Sequence, residues 1–233
     1  MLSAISIGSL KTSGTSTLAL TLASVAAAAD IPVVLVDAAR DGDLAAWAER
    51  DGVPAKVSVE RVRDEMALEK LVRAARRRGE LVVIDAGDEA EMIRTAARLC
   101  DRHIIPVRFS PLSASFAVET DEMLRQDAGR GRRGRDWCFV ASAVATIPSR
   151  IARSVEAIVE ASPTQRMPIG LVQRAAYEAP FLFGGTIFTL DEEAAPGLDR
   201  ARAEAASLAY AIGILGKIET RKSAPGVELR RAA

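Results

Sequence analysis

The chain has 233 residues, 49% of them hydrophobic, and its 31 basic residues are balanced by 31 acidic ones. That length and apolar fraction suit one large α/β domain or two small ones, and the balanced charge excludes a whole-chain attraction to nucleic acid or membrane, leaving only local patches for such roles. One histidine, and two cysteines outside any C-x-x-C spacing, exclude most histidine triads and Cys/His metal centres.

Short apolar runs recur along the chain: AISI (4–7), PVVLV (32–36), ELVVIDA (80–86), RHIIPVRF (102–109), DWCFVASAV (136–144) and MPIGLV (167–172). Runs this short, with little alternation, are expected of strands buried on both faces of a parallel sheet. Between them TSTLALTLASVAAAA, LAAWAER, MALEKLVRAARRR, AEMIRTAARL, SASFAVETDEMLRQ and SRIARSVEAIVEA read as crossover helices, and PGLDRARAEAASLAYAIGILG (196–216) as a last long one. The alternation predicts a doubly wound, mostly parallel α/β domain over 1–216, with helices on both faces of the sheet, followed by a basic, flexible tail over 217–233. Cys100 and Cys138 read as core thiols of a cytoplasmic protein, and His103 as a residue at the start of a strand. No run approaches the ~18 apolar residues of a membrane span.

The segment GSLKTSGTSTLALTLA (8–23) joins the first strand to the first helix. Thr12, Ser13 and Thr15 to Thr17 offer caps and first-turn hydroxyls, while Leu18, Leu22, Val25 and Ala29 make an inward face. The start of that helix faces the end of the first strand, where backbone amides and the helix dipole favour an anion. Asp37 and Asp85 end the second and third apolar runs, a place where carboxylates cap turns as well as hold metals.

This order of strand, small-residue loop and helix, with Asp37 and LVVID ending at Asp85, resembles the ParA/MinD family of deviant Walker ATPases, and especially the VirC-type partition-like proteins. The family carries K-G-G-x-G-K-[ST]-T. Anchored on the helix, Gly14, Thr15, Ser16 and Thr17 match G-K-[ST]-T, so Thr15 stands in place of the phosphate lysine. Anchored on the strand, Lys11 matches the signature lysine and the loop is one residue short. The resemblance implies nucleotide contacts from Lys11, Ser13, Gly14, Thr15, Ser16 and Thr17, Mg²⁺ held by Ser16 and Asp85, and catalytic roles for Lys11 and Asp37. Two further family features are altered: D-x-D reads Asp37, Ala38, Ala39, and D-T-P-G reads Asp85, Ala86, Gly87, Asp88. Pro106, Val107, Ser110 and Pro111 match the loop beside the base.

The resemblance implies a homodimer acting on a plasmid, a transfer complex or another cargo through an adaptor protein, in the cytoplasm or at the nucleoid. Loss of the lysine's charge at Thr15 and of an acid at Ala39 predicts a pseudo-ATPase or very weak ATPase, for which ATP and Mg²⁺ are ligands only if binding outlives hydrolysis. The alternatives are an active ATP switch using Lys11 and a metabolic enzyme similar to dethiobiotin synthetases. For nonspecific DNA, the candidates are Arg130, Arg132, Arg133 and Arg135 in RQDAGRGRRGR (125–135), and Arg200, Lys217, Arg221 and Lys222 near the C-terminus. A solvated connection explains the first cluster equally well. FLFGG (181–185) reads as an apolar loop tucked over the sheet, with a partner-binding edge as the alternative.

Overall fold

A computed structural model describes residues 2–11, 14–128 and 136–216. Six strands, β1 (Ala4–Gly8), β2 (Val33–Asp37), β3 (Val57–Arg61), β4 (Leu81–Gly87), β5 (Arg102–Val107) and β6 (Trp137–Ala141), form one sheet in the order β3-β2-β4-β1-β5-β6. Every pairing is parallel. β1, β2 and β4 are buried along their whole length, as their predominantly apolar sequences favour.

Eight helices cover the sheet: α1 (Thr15–Ala28), α2 (Asp43–Ala48), α3 (Glu65–Arg77), α4 (Ala90–Leu99), α5 (Pro111–Ala128), α6 (Arg150–Glu160), α7 (Ala175–Phe183) and α8 (Leu198–Ile212). Helices α1, α2, α7 and α8 pack into one apolar cluster with Ile5, Ile7, Leu35 and Val83 of the sheet. Helices α3 to α6 pack into a second cluster with Val34, Val36, Ile84 and Phe139. Side chains that alternate along each strand therefore feed two cores on opposite faces. α1 is sandwiched by the sheet and α8, so Leu18 to Ala26 are all buried rather than one stripe, and Ala29, expected on the inward face, is an exposed C-cap.

Three elements depart from the sequence reading. β3 is an edge strand whose VSVER sequence alternates between buried and solvated residues, so no apolar run marked it. The stretch 167–172 runs beside β6 without becoming a strand. Met167 N–H donates to the Phe139 carbonyl at 2.8 Å and Leu171 N–H to that of Ala141 at 2.9 Å. Between them Pro168 has no N–H to give, and a side chain at Gly170 would begin 2.4 Å from the Ala141 oxygen. The third departure is FLFGG: its apolar residues form the last turn of α7 rather than a loop. Phe181 packs on the core, while Leu182 and Phe183 are exposed. Gly184 and Gly185 lie against Asp51 and Gly52, and Trp47 Nε1 donates to the Gly185 carbonyl at 2.8 Å.

Candidate functional site

The chain reverses its direction of winding at β1, and the crevice at such a point lies beyond the carboxyl ends of the strands. β1 ends there at Gly8, and α1 begins seven residues later with Gly14 as its N-cap, at φ 84°, a left-handed conformation that glycine tolerates. α1 has no side-chain cap and no acidic residue in its first turn, so its leading amides are open to an anion.

The connecting loop is tied down from both sides. Ser9 N–H donates to the Gly87 carbonyl at 3.2 Å, and Leu10 N–H to Thr120 Oγ1 at 3.0 Å. Below it, His103 is fully buried, and burial pushes its imidazole down to about 4, so the ring is neutral at pH 7. Its Nε2 lies 3.2 Å from the Gly8 carbonyl oxygen, which can only accept, so Nε2 carries the proton and Nδ1 accepts from the Ser6 hydroxyl at 2.8 Å.

Asp85 and Ser16, the two residues that the resemblance gives to the metal, are in contact. Ser16 Oγ donates to Asp85 Oδ2 at 2.5 Å, and Gly87 N–H donates to Asp85 Oδ1 at 3.0 Å. Asp85 has no solvent exposure. Burial pushes its carboxyl up to about 6, against the lowering effect of hydrogen bonds from Ser16, Gly87 and Thr15, and Asp37 on the neighbouring strand adds a smaller push upward. Thr15 is itself buried, so its hydroxyl serves the carboxylate beneath the loop.

Asp37 stands level with Asp85 in the sheet and is equally buried. Its Oδ2 accepts from Ala45 N–H at 2.8 Å, near the start of α2, and its Oδ1 is ion-paired with Arg61. Both oxygens are thereby occupied in structural contacts. Arg61 also donates to the carbonyls of Asp37, Ala39 and Arg40, fixing the turn after β2. Ala39 packs against Gly87, which sits at φ 63° and where a side chain would begin 2.9 Å from Ala39 Cα.

Lys11 leans toward α5, its Nζ 5.0 Å from the centre of the Phe116 ring. Beside the start of α1, a cleft is lined by Gly14, Thr17, Arg108, Arg174, Tyr177 and Glu178, among others. It encloses about 40 Å³, well short of the ~300 to 1,000 Å³ of preformed small-molecule sites. Arg174 is held there by Glu204, which also accepts from the Tyr177 hydroxyl at 3.1 Å.

Of the remaining sequence candidates, Arg200 is exposed on α8. Ser13, Arg130, Arg132, Arg133, Arg135, Lys217, Arg221, Lys222 and the tail over 217–233 lie outside the described residues. Among the described residues no helix is long and apolar enough to cross a membrane, and no cluster of three His, Cys, Asp or Glu gathers. The sequence reading missed Arg61, Thr120 and Arg108, and it read the solitary His103 as no more than a strand residue.

No protein-family model matches the chain. It is 25% identical over 183 residues to the protein ParA of Rhizobium radiobacter, covering 76% of this chain and 81% of that one. Apo McdA of Cyanothece matches its structure with a TM-score of 0.71 at 12% identity, over 89% of this chain and 98% of McdA. An ATP complex of Cyanothece McdA matches with a TM-score of 0.68 at 14% identity, over 91% and 96%. The cell-division protein MinD of Aquifex aeolicus matches with a TM-score of 0.65 at 18% identity, over 88% and 96%. The strand order and the strand–loop–helix topology of β1 and α1 give this chain the fold of McdA and MinD, and its sequence is similar to that of ParA.

Proposed function

We propose that the chain is a ParA-like positioning protein whose site binds ATP and Mg²⁺ weakly and turns ATP over very slowly or not at all, a pseudo-ATPase working as a dimeric protein- or DNA-binding module. The observation that carries this reading is Thr15. In the helix-anchored register the family's motif has a lysine here, whereas this chain has a buried, neutral hydroxyl turned toward Asp85. Removing one preorganised electrostatic contact from a transferring group typically costs about 10²- to 10³-fold in rate.

Mg²⁺ suits the residues present. Ser16 and Asp85 offer a hydroxyl and a carboxylate, hard oxygen donors that phosphate oxygens and water would complete. A cation there would also offset the burial that holds Asp85 at about 6. When bound, Mg²⁺ supplies charge neutralisation between phosphates. Dimerisation and an adaptor partner follow from the family resemblance, and of the sequence candidates for DNA Arg200 lies among the described residues and is exposed.

The test follows steady-state hydrolysis of ATP–Mg²⁺ by the full chain, with light scattering to record its mass. Wild-type turnover should stay close to background, and Thr15→Lys, checked by circular dichroism, should raise it by about 100-fold. Brisk wild-type turnover that Lys11→Ala abolishes would overturn the pseudo-ATPase in favour of an active switch using Lys11.

A further inference from the structure

The nucleotide reading leaves open where the positive charge for bound phosphates comes from, and the next inference rests on that reading. We propose that Arg108, on the loop between β5 and α5, supplies the cation that Thr15 lacks, so that phosphates are clamped between the amides of α1 and a guanidinium reaching across the cleft.

Arg108 Nη2 lies 3.9 Å from the point where a side chain on Gly14 would begin. The guanidinium therefore sits at the N-cap of α1, and Arg108, Gly14 and Thr17 line the same cleft. Its neighbour Arg174 is locked to Glu204, but Arg108 makes no ion pair among the described residues. The backbone of Arg108 is fixed while its side chain is exposed: its N–H donates to Ser113 Oγ at 2.9 Å, and its carbonyl accepts from Ser110 N–H at 2.8 Å.

A cation at the start of a helix faces the positive end of the helix dipole, so the two repel unless an anion lies between them. α1 supplies no such anion, because its first turn has no acidic residue. The exposed Glu178 lines the same cleft and is the carboxylate available to compete for Arg108 when no ligand is bound. The planar fork of a guanidinium matches phosphate oxygens, which points to a ligand with a chain of phosphates rather than a neutral nucleoside.

The experiment titrates the full chain with ATP–Mg²⁺, tripolyphosphate–Mg²⁺ and adenosine by calorimetry, in wild type, Arg108→Ala and Arg108→Lys. Circular dichroism checks folding, which loss of an exposed side chain should leave intact. Arg108→Ala should weaken ATP and tripolyphosphate at least about tenfold while leaving adenosine unchanged, and Arg108→Lys should recover part of the loss. Equal ATP affinity in wild type and Arg108→Ala overturns the role of Arg108 and leaves the nucleotide reading standing. Arg108-dependent binding of tripolyphosphate without any binding of ATP supports Arg108 and removes the nucleotide. A wild type that binds neither ATP nor tripolyphosphate overturns both.

Discussion

Replacing Asp85 with asparagine should stabilise the ligand-free protein at neutral pH, the reverse of what losing a hydrogen-bonded buried acid usually does. The Asp85 carboxyl stands at about 6 in the folded chain against an ordinary 3.8. At about 1.36 kcal/mol per pH unit, that difference amounts to about 3 kcal/mol of folding free energy. Because the folded value is the higher one, there is no penalty below pH 3.8, where both states are protonated. The penalty grows as the unfolded chain ionises first and is complete once pH rises past about 6. Asparagine keeps an oxygen for Gly87 N–H, and its amide can donate to Ser16 Oγ once that hydroxyl rotates. Urea denaturation of both proteins without Mg²⁺ or nucleotide, from about pH 4 to about pH 8, should show a gap that opens from near zero to about 3 kcal/mol in favour of asparagine. An asparagine variant less stable than wild type at the alkaline end, or a gap that does not vary with pH, would refute the burial argument.

Asp121, fully buried like Asp85 and Asp37, should respond to loss of its carboxylate in the opposite way. It accepts from Trp137 Nε1 at 2.7 Å, Ser162 Oγ at 3.0 Å, Thr164 Oγ1 at 2.5 Å and Arg125 Nη2 at 2.7 Å, joining α5, β6 and the loop after α6. Asp121→Ala strands these donors and should cost about 3 to 5 kcal/mol in urea melts; a loss below about 1 kcal/mol would mean that water replaces the acid without strain. Arg61→Ala leaves the Asp37 carboxylate buried without its counter-ion and should cost about 3 kcal/mol. Adding Asp37→Asn should recover much of that loss, and strictly additive effects in the double-mutant cycle would contradict the pairing.

Most of the sheet was legible because a strand buried on both faces must be mainly apolar, and β1, β2, β4 and β5 advertise this in sequence. The half-solvated edge strand β3 hid behind its polar residues, and Pro180 and the exposed Leu182 and Phe183 disguised α7. In the site, Asp85 was legible as an acid ending an apolar run, and Ser16 as a first-turn hydroxyl after a glycine. The contacts that tie them down were not, since His103 and Thr120 meet the loop only across about a hundred residues of chain.

The sequence by itself determined two things about this protein: a predominantly parallel α/β layering, written in the period and polarity of its segments, and a first turn of α1 with no lysine, which no folding can restore. Tertiary structure decided which charges act at that turn. Arg61 and Arg108 look alike in a chain crowded with arginines, yet one is held by a buried aspartate and the other faces an open helix terminus. The physical reason is that electrostatic interaction depends on distance and burial through space, and neither is a property of position along the chain.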